Sequence, residues 1–357
     1  MTKTLLEHFK SLEDNDWDYY NFGDNLTNPF LRKNCTEKEF KDFIDNYFSS
    51  SGKRDGLFQN QRSKEYFQLI ENRAFHTVSV FYLGILISKH THLNKKLDIG
   101  EVNKPGYPKF PFIWFLTVLF HDFGMYQERN SKIVQKYKST QDIYYEFSLK
   151  YKLLDAEYKL KIPKSLFGNI EKYFKYRLSD NKVDHGVLGG LYMYSKLIET
   201  RIMKKREIEI GTYCGNRLNW DDTLDEQYAL ASSVLCCHNI WLTYECENKY
   251  ESYKKHELMT LDKANFKPIK SRDYPLFFLF GLVDTIDPVK AFIKNYSLNE
   301  IITMMKLKIC KRSIRIVNSG LDEEHFDNYV NHISGNLIGW LELKLIRVEL
   351  NTILIKF

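Results

Sequence analysis

Six residues of this sequence have the chemistry to hold metal: His76, the adjacent pair His121-Asp122, His185, His238 and Asp284. Each stands in or at the edge of its own apolar stretch, with His238 in SSVLCCHNIW and Asp284 in FFLFGLVDTIDPV. Burying an imidazole or a carboxylate is costly unless it is hydrogen-bonded, paired or bound to a metal. A lone buried histidine usually bonds a neighbour; four of them with two aspartates ask for a shared explanation. Mixed imidazole and carboxylate donors form a borderline ligand set that suits Mn, Fe, Co, Ni or Zn better than Ca or a structural thiolate zinc site. Six ligands are too many for one catalytic ion that keeps water. They match two ions bridged by Asp122, with positions left open for substrate.

The segments that must position these residues read as helices. Thr36-Glu37-Lys38-Glu39 has capping-box spacing and should start a helix to about Phe48. A second helix is expected from Gln61 through Phe75, Val78, Phe81, Tyr82 and Ile85, carrying Arg73 and His76 one turn apart on a shared face. The run FIWFLTVLF ends in HDFG and directs His121 and Asp122 into a cavity. His185 opens a helix over Val183 to Thr200, where Gly186, Gly189 and Gly190 allow another helix to come close; alternatively Asp184 merely caps it. Further helices are expected near 139–160 and 164–177, over Asp225 to Trp241 and over Leu276 to Lys294. Residues 1–35 read as an irregular arm and 204–222 as a surface insertion. After residue 310, SIRIVN and LIRVELNTILIKF alternate like strands around a helical stretch from Asp322 to Glu342.

The fold class expected is therefore mainly α, a helical bundle with a small mixed α/β appendage. Its divisions fall at 1–56 (arm and first helix), 57–300 (the metal-bearing domain) and 301–357 (the appendage). Hydrophobic content of 43% and charged content of 27% over 357 residues exclude wholesale disorder. The net charge of +6 permits an anionic substrate without arguing for nucleic acid. Six cysteines without a CxxC pair fit a reducing compartment, and adjacent Cys236 and Cys237 read as core packing. The N-terminus has no signal-like apolar core, and Phe110–Phe120 is too short to span a bilayer, so a cytoplasmic protein with no membrane partner is expected. His8, His90, His92, His256, His325 and His332 stand in polar or terminal contexts and read as surface residues.

The order H…HD…H…H…D resembles the HD-domain metal-dependent phosphohydrolase superfamily. So do RxxH at 73–76, HDFG at 121–124, DHGVLGG at 184–190 and VDTIDPVK at 283–290; the resemblance spans roughly 60–295. It implies an all-α bundle in which His76, His121, Asp122 and Asp284 hold a first ion, and Asp122, His185 and His238 a second. The implied cofactor is one or two divalent ions, Mn, Fe, Co, Ni, Zn or Mg. Two departures stand out: Met125 occupies a position where many members have Lys, and Asn239 follows His238 where an additional His is common. Arg73, Arg129, Lys132 and Lys290 are the cations that could replace that lysine against a phosphate.

The function expected is hydrolysis of a phosphoester or phosphoanhydride by metal-activated water, on a nucleotide or cyclic (oligo)nucleotide. Arg73 and Lys290 would bind phosphoryl oxygen, while Asp184 and Asp287 serve as proton-transfer groups, partners of the ligands or helix caps. Two alternatives stay open. One is a nuclease on single-stranded DNA or RNA, tracked by the basic stretches at 150–177 and 201–206; the other is a non-catalytic ligand-sensing or scaffold module.

Overall fold

A helix that is apolar on every side must be enclosed by other elements, and three of the helices here are of that kind. The computed structural model describes residues 2–17, 27–32, 35–50, 72–97, 110–122, 124–125, 128, 134–156, 161–213, 219–240, 247–262 and 265–357. In chain order the strands and helices are β1 (Lys3–Thr4), α1 (Leu5–Lys10), α2 (Asp14–Trp17), α3 (Glu37–Ser50), α4 (Arg73–His90), α5 (Asn94–Leu97), α6 (Phe110–His121) and α7 (Thr140–Glu146). Then come α8 (Lys164–Phe167), α9 (Ile170–Ser179), α10 (His185–Glu209), α11 (Thr223–Cys237), α12 (Glu247–Lys255), α13 (Pro275–Ile286) and α14 (Pro288–Phe292). The chain closes with α15 (Leu298–Met304), β2 (Met305–Cys310), β3 (Ser313–Asn318), α16 (Glu323–Leu337), β4 (Lys344–Glu349) and β5 (Thr352–Lys356). The protein is mainly helical with a small antiparallel sheet.

The apolar helices α4, α6 and α13 pack against one another and against the α10–α11 pair, and these five elements carry the metal-ligand candidates. The close approach of α10 to α11 depends on missing side chains. A Cβ on Gly190 would sit 2.6 Å from the Ser232 carbonyl oxygen, and one on Gly186 would meet the His238 ring at 2.5 Å. Gly84 plays the same part between α4 and α6, where the Trp114 indole lies against it and donates to the Phe81 carbonyl at 2.9 Å. Cys236 and Cys237 are buried core residues, as their context suggested.

The sheet runs in the order β1-β2-β3-β5-β4, antiparallel throughout. Its inner residues Leu307, Ile314, Ile316, Ile353 and Ile355 are buried, and β2 lies against α1, α4 and α15. Burial of these alternating apolar side chains is what fixes the register, because a one-residue slip would turn every one of them to solvent.

Several expectations change. Among the described residues, the N-terminal segment is no irregular arm: Thr4 and Glu7 form a capping box, β1 joins the sheet, and Leu5, Phe9, Trp17 and Phe30 are buried. His8, read as a surface residue, is buried with Nε2 3.0 Å from the Leu307 carbonyl. The helix from His185 continues to Glu209, so the start of the supposed insertion at 204–222 is helical. Lys196–Glu199 and Lys204–Glu207 ion pairs decorate this last part, which explains how a polar sequence remains a helix. The expected helix over 276–294 breaks at Asp287-Pro288, with Asp287 capping α14. Among the described residues of the segment near 139–160, the α-helix covers Thr140–Glu146 and is followed by a short 3-10 turn. Thr36 and Glu39 make the capping box their spacing implied. The stretch from Gln61 to Glu71 lies outside the described residues.

Candidate metal centre

Arg73 and His76 share the first turn of α4, His121 closes α6, and Asp284 sits in the last turn of α13. The ligand atoms of His76, His121 and Asp284 lie within 4.8 Å of one another, a possible metal-binding triad. His76 Nε2 is 3.0 Å from His121 Nε2 and 3.2 Å from Asp284 Oδ1. Asp122, just past the end of α6, brings Oδ2 to 3.2 Å from His121 Nε2 and 3.9 Å from His76 Nε2. The turn that places it runs through Gly124 at φ +76, where a Cβ would also press on Leu188 at 2.9 Å, and Met125 N donates to the Asp122 carbonyl. A non-glycine residue would be strained there.

The far side of each ring decides what the near side can do. His121 Nδ1 lies 2.5 Å from the Val118 carbonyl oxygen, which can only accept, so Nδ1 carries the proton. His76 Nδ1 is 2.8 Å from Asp287 Oδ2, and Ser79 Oγ donates to Asp287 Oδ1 at 2.6 Å, so the buried Asp287 carboxylate is an acceptor throughout. Both Nε2 atoms are therefore turned toward each other and toward the Asp284 and Asp122 oxygens. Burial works against charge on His76, but the Asp284 and Asp287 carboxylates outweigh it and hold its pKa above the ordinary imidazole value. Burial likewise opposes ionisation of Asp122 and Asp284. His121 and Arg73 for the one, and Lys290 and His76 for the other, keep both well below the usual carboxylate range.

Two cations hold these carboxylates. Arg73 Nη1 donates to Asp122 Oδ2 at 2.7 Å, and Lys290 Nζ reaches Asp284 Oδ1 at 2.8 Å and Oδ2 at 2.7 Å. Both side chains are partly open to solvent, at 22% and 34%.

His185 and His238 form a second pair, with ring centroids 5.2 Å apart against 5.0 Å for His76 and His121. Phe280 touches one ring of each pair, 5.8 Å from His121 and 5.5 Å from His238. His238 Nδ1 lies 2.7 Å from the Leu235 carbonyl, which again leaves Nε2 as the free lone pair. His185 Nδ1 is 3.4 Å from Glu128 Oε2, and its Nε2 is 3.3 Å from Asn239 Nδ2. Burial lowers the pKa of His185, yet Glu128 and Asp184 raise it overall; burial and the neighbouring His185 push His238 down to about 4. Glu128, which also bonds Arg177, is a residue the sequence reading missed. Its local context is polar, so no burial signal marked it.

The remaining candidates fall as follows. Asp184 is buried and caps α10 through Val187 N at 2.9 Å, with Oδ2 3.8 Å from Arg177 Nε. Asp287 combines a helix cap with its bond to His76. Arg129 and Lys132 lie outside the described residues. In the basic stretches, Lys172, Lys175, Arg177, Arg201 and Lys204 have carboxylate partners. No described helix is long and apolar enough to cross a membrane.

Compared with protein-family models, with curated proteins and with solved structures, the chain matches none. The resemblance to the HD superfamily therefore rests on the order and local motifs of the sequence alone.

Proposed function

We propose that the protein is a metal-dependent phosphohydrolase or phosphodiesterase of HD type, acting on a nucleotide or cyclic (oligo)nucleotide. The observation that carries this reading is the convergence of His76, His121 and Asp284, whose ligand atoms lie within 4.8 Å of one another, with Asp122 Oδ2 3.2 Å from His121 Nε2. Arg73 and Lys290 balance the two carboxylates, but the Nε2 atoms of His76 and His121 face each other at 3.0 Å, and a divalent cation is the natural group to relieve that lone-pair contact.

The donor set fits such an ion. His76, His121, Asp122 and Asp284 would hold the first, and Asp122, His185 and His238 a second. An ion bound there supplies Lewis-acid activation of water and neutralises charge on a phosphoryl group. The chain's own residues do the rest. Asp287 and the Val118 carbonyl keep the protons of His76 and His121 on Nδ1, which holds Nε2 available. Arg73 and Lys290 stand at the open side, each already reaching a ligand carboxylate, and are the described cations placed to meet a non-bridging phosphate oxygen. They take the place of the lysine that Met125 lacks. Lys172, Lys175, Arg177, Arg201 and Lys204 in the stretches 150–177 and 201–206 are taken up by carboxylates and give a nuclease reading no support of their own.

The test starts from chelator-treated protein reloaded with Mn, Co, Ni or Zn. Bound metal is measured, then hydrolysis of an aryl phosphodiester and of a panel of mono-, di- and cyclic nucleotides beside a labelled oligonucleotide. Metal binding with turnover of small nucleotides is expected. Absence of both would remove the enzyme reading, and cleavage of the polymer alone would replace it with the nuclease.

A further inference from the structure

The C-terminal sheet has two faces of opposite character. Its inner face is apolar and buried, whereas the outer face presents Lys306 and Lys308 from β2, Arg315 from β3, Lys344 from β4 and Lys356 from β5. The register sets like charges directly opposite each other: Lys308 pairs with Arg315, and Lys344 with Lys356. Opposed side chains on one sheet face lie about 5 Å apart at Cβ, and like charges there are destabilising. Among the described residues none of these five has an ion-pair partner. The acid on this face, Glu349, stands at its corner, beside the bulge in β4. Of the other nearby acids, Glu342 lines the groove at the end of the face and is paired with Lys270 at 3.4 Å, and Asp327 on α16 binds Arg347.

Apolar side chains lie among the cations. Leu354 is the cross-strand neighbour of both Arg315 and Ile346, and Ile346 and Val348 are 38% and 40% exposed. At one end the face runs into a groove of about 730 Å³ whose lining includes the cations Lys344, Lys356, Arg312, Lys267 and Lys270 against the single acid Glu342. A fold that keeps two repulsive pairs and an unneutralised row of cations gains from a partner carrying closely spaced negative charge along its length. We propose that the outer face of this sheet, with the groove at its end, binds single-stranded nucleic acid. The cations take the phosphates and Leu354, Ile346 and Val348 lie under the sugars and bases. An acidic polypeptide offers charge without flat rings to cover the apolar strip, which is why nucleic acid is the occupant chosen.

This inference does not rest on the metal centre, and its test separates the two. Chelated, metal-free protein is titrated against a labelled unstructured oligonucleotide and followed by fluorescence anisotropy. About four contacted phosphates give a salt slope near −3, a roughly fifty-fold loss of affinity between about 50 and 200 mM salt. Lys308→Glu and Lys356→Glu should each weaken binding and lower that slope by about one. Each also turns a repulsive cross-strand pair into an attractive one, so the melting temperature should hold or rise. Loss of affinity without loss of stability cannot come from damage to the fold. Asp284→Asn, at the metal centre, should bind the oligonucleotide as the parent does. Unchanged binding by both sheet variants would overturn the proposal, as would no binding at low salt. Equal affinity for polyglutamate or for anionic phosphatidylserine vesicles would overturn the choice of nucleic acid.

Discussion

Lys290 and Asp284 are joined by two short contacts, Nζ to Oδ1 at 2.8 Å and Nζ to Oδ2 at 2.7 Å, across the break between α13 and α14. The break at Asp287-Pro288 makes this possible, since it starts a new helix whose first turn swings Lys290 back over the end of the old one. An ion binding at Asp284 has to compete with that ammonium. Lys290→Met should therefore tighten metal binding by about fivefold, the equivalent of roughly 1 kcal/mol for a partly exposed ion pair. Calorimetry with Mn checks the first effect. KM for a phosphoester should rise at the same time if the lysine grips substrate, and weaker metal binding would show that it supports the site instead.

Asp122→Ala should abolish both metal binding and hydrolysis, because it removes the carboxylate proposed to be held by both ions. The parent should gain thermal stability with Mn, about 2.7 kcal/mol at a hundredfold excess over Kd, and the variant none. Retention of either binding or activity would mean that the ligand set is wrongly assigned.

Asp287→Asn tests the proton on His76. Asparagine caps a helix about as well as aspartate, so α14 should remain, while the acceptor that fixes the His76 tautomer is weakened. Loss of such a supporting group typically costs 10- to 100-fold in metal affinity or activity. Metal titration of the variant alongside its urea midpoint separates the two roles.

Gly186→Ala places a methyl group 2.5 Å from His238 Cε1 and 2.6 Å from the Leu235 carbonyl oxygen. Overpacking of this kind costs about 1–3 kcal/mol, visible in the urea midpoint. The displaced ring should also lose any second equivalent of metal while the first is kept, and equal loss of both would argue against two separate sites.

The pH dependence of the metal-free protein carries a signature of His238. Its folded pKa of about 4 lies below the ordinary 6.5, so between those values the unfolded chain holds the extra proton and stability falls as pH drops. His238→Asn should remove about 2 kcal/mol of the difference in stability between about pH 7 and about pH 5. Identical pH profiles for parent and variant would show that the ring is not held neutral.

Local pattern was enough to mark the candidate ligands, because a polar residue inside an apolar helix is visible in one dimension: Asp284 and His238 are of this kind. Asp287 was legible only as a residue with two possible duties, and it performs both the cap and the bond to His76. Glu128 and Ser79 were not legible. One sits in a polar stretch and the other is a small hydroxyl, and only tertiary packing brings them against His185 and Asp287. The helical core followed from periodicity, whereas the N-terminal strand did not, since two residues carry no alternation to read. His8 was misread for the same reason: its acceptor, Leu307, is 299 positions away.

That last distance has a consequence for how the molecule comes into being. β1 and α1 are made well before the strand they pair with, Met305–Cys310, since His8 and its acceptor Leu307 stand 299 positions apart. Closing so large a loop costs only slowly growing entropy, but contacts this distant in sequence form late and slow the search. Until then Leu5, Phe9 and Trp17 have only part of their native surroundings, and a chain halted before residue 305 would leave the first helix without its strand. The opening residues thus act as a latch that closes when the sheet is complete.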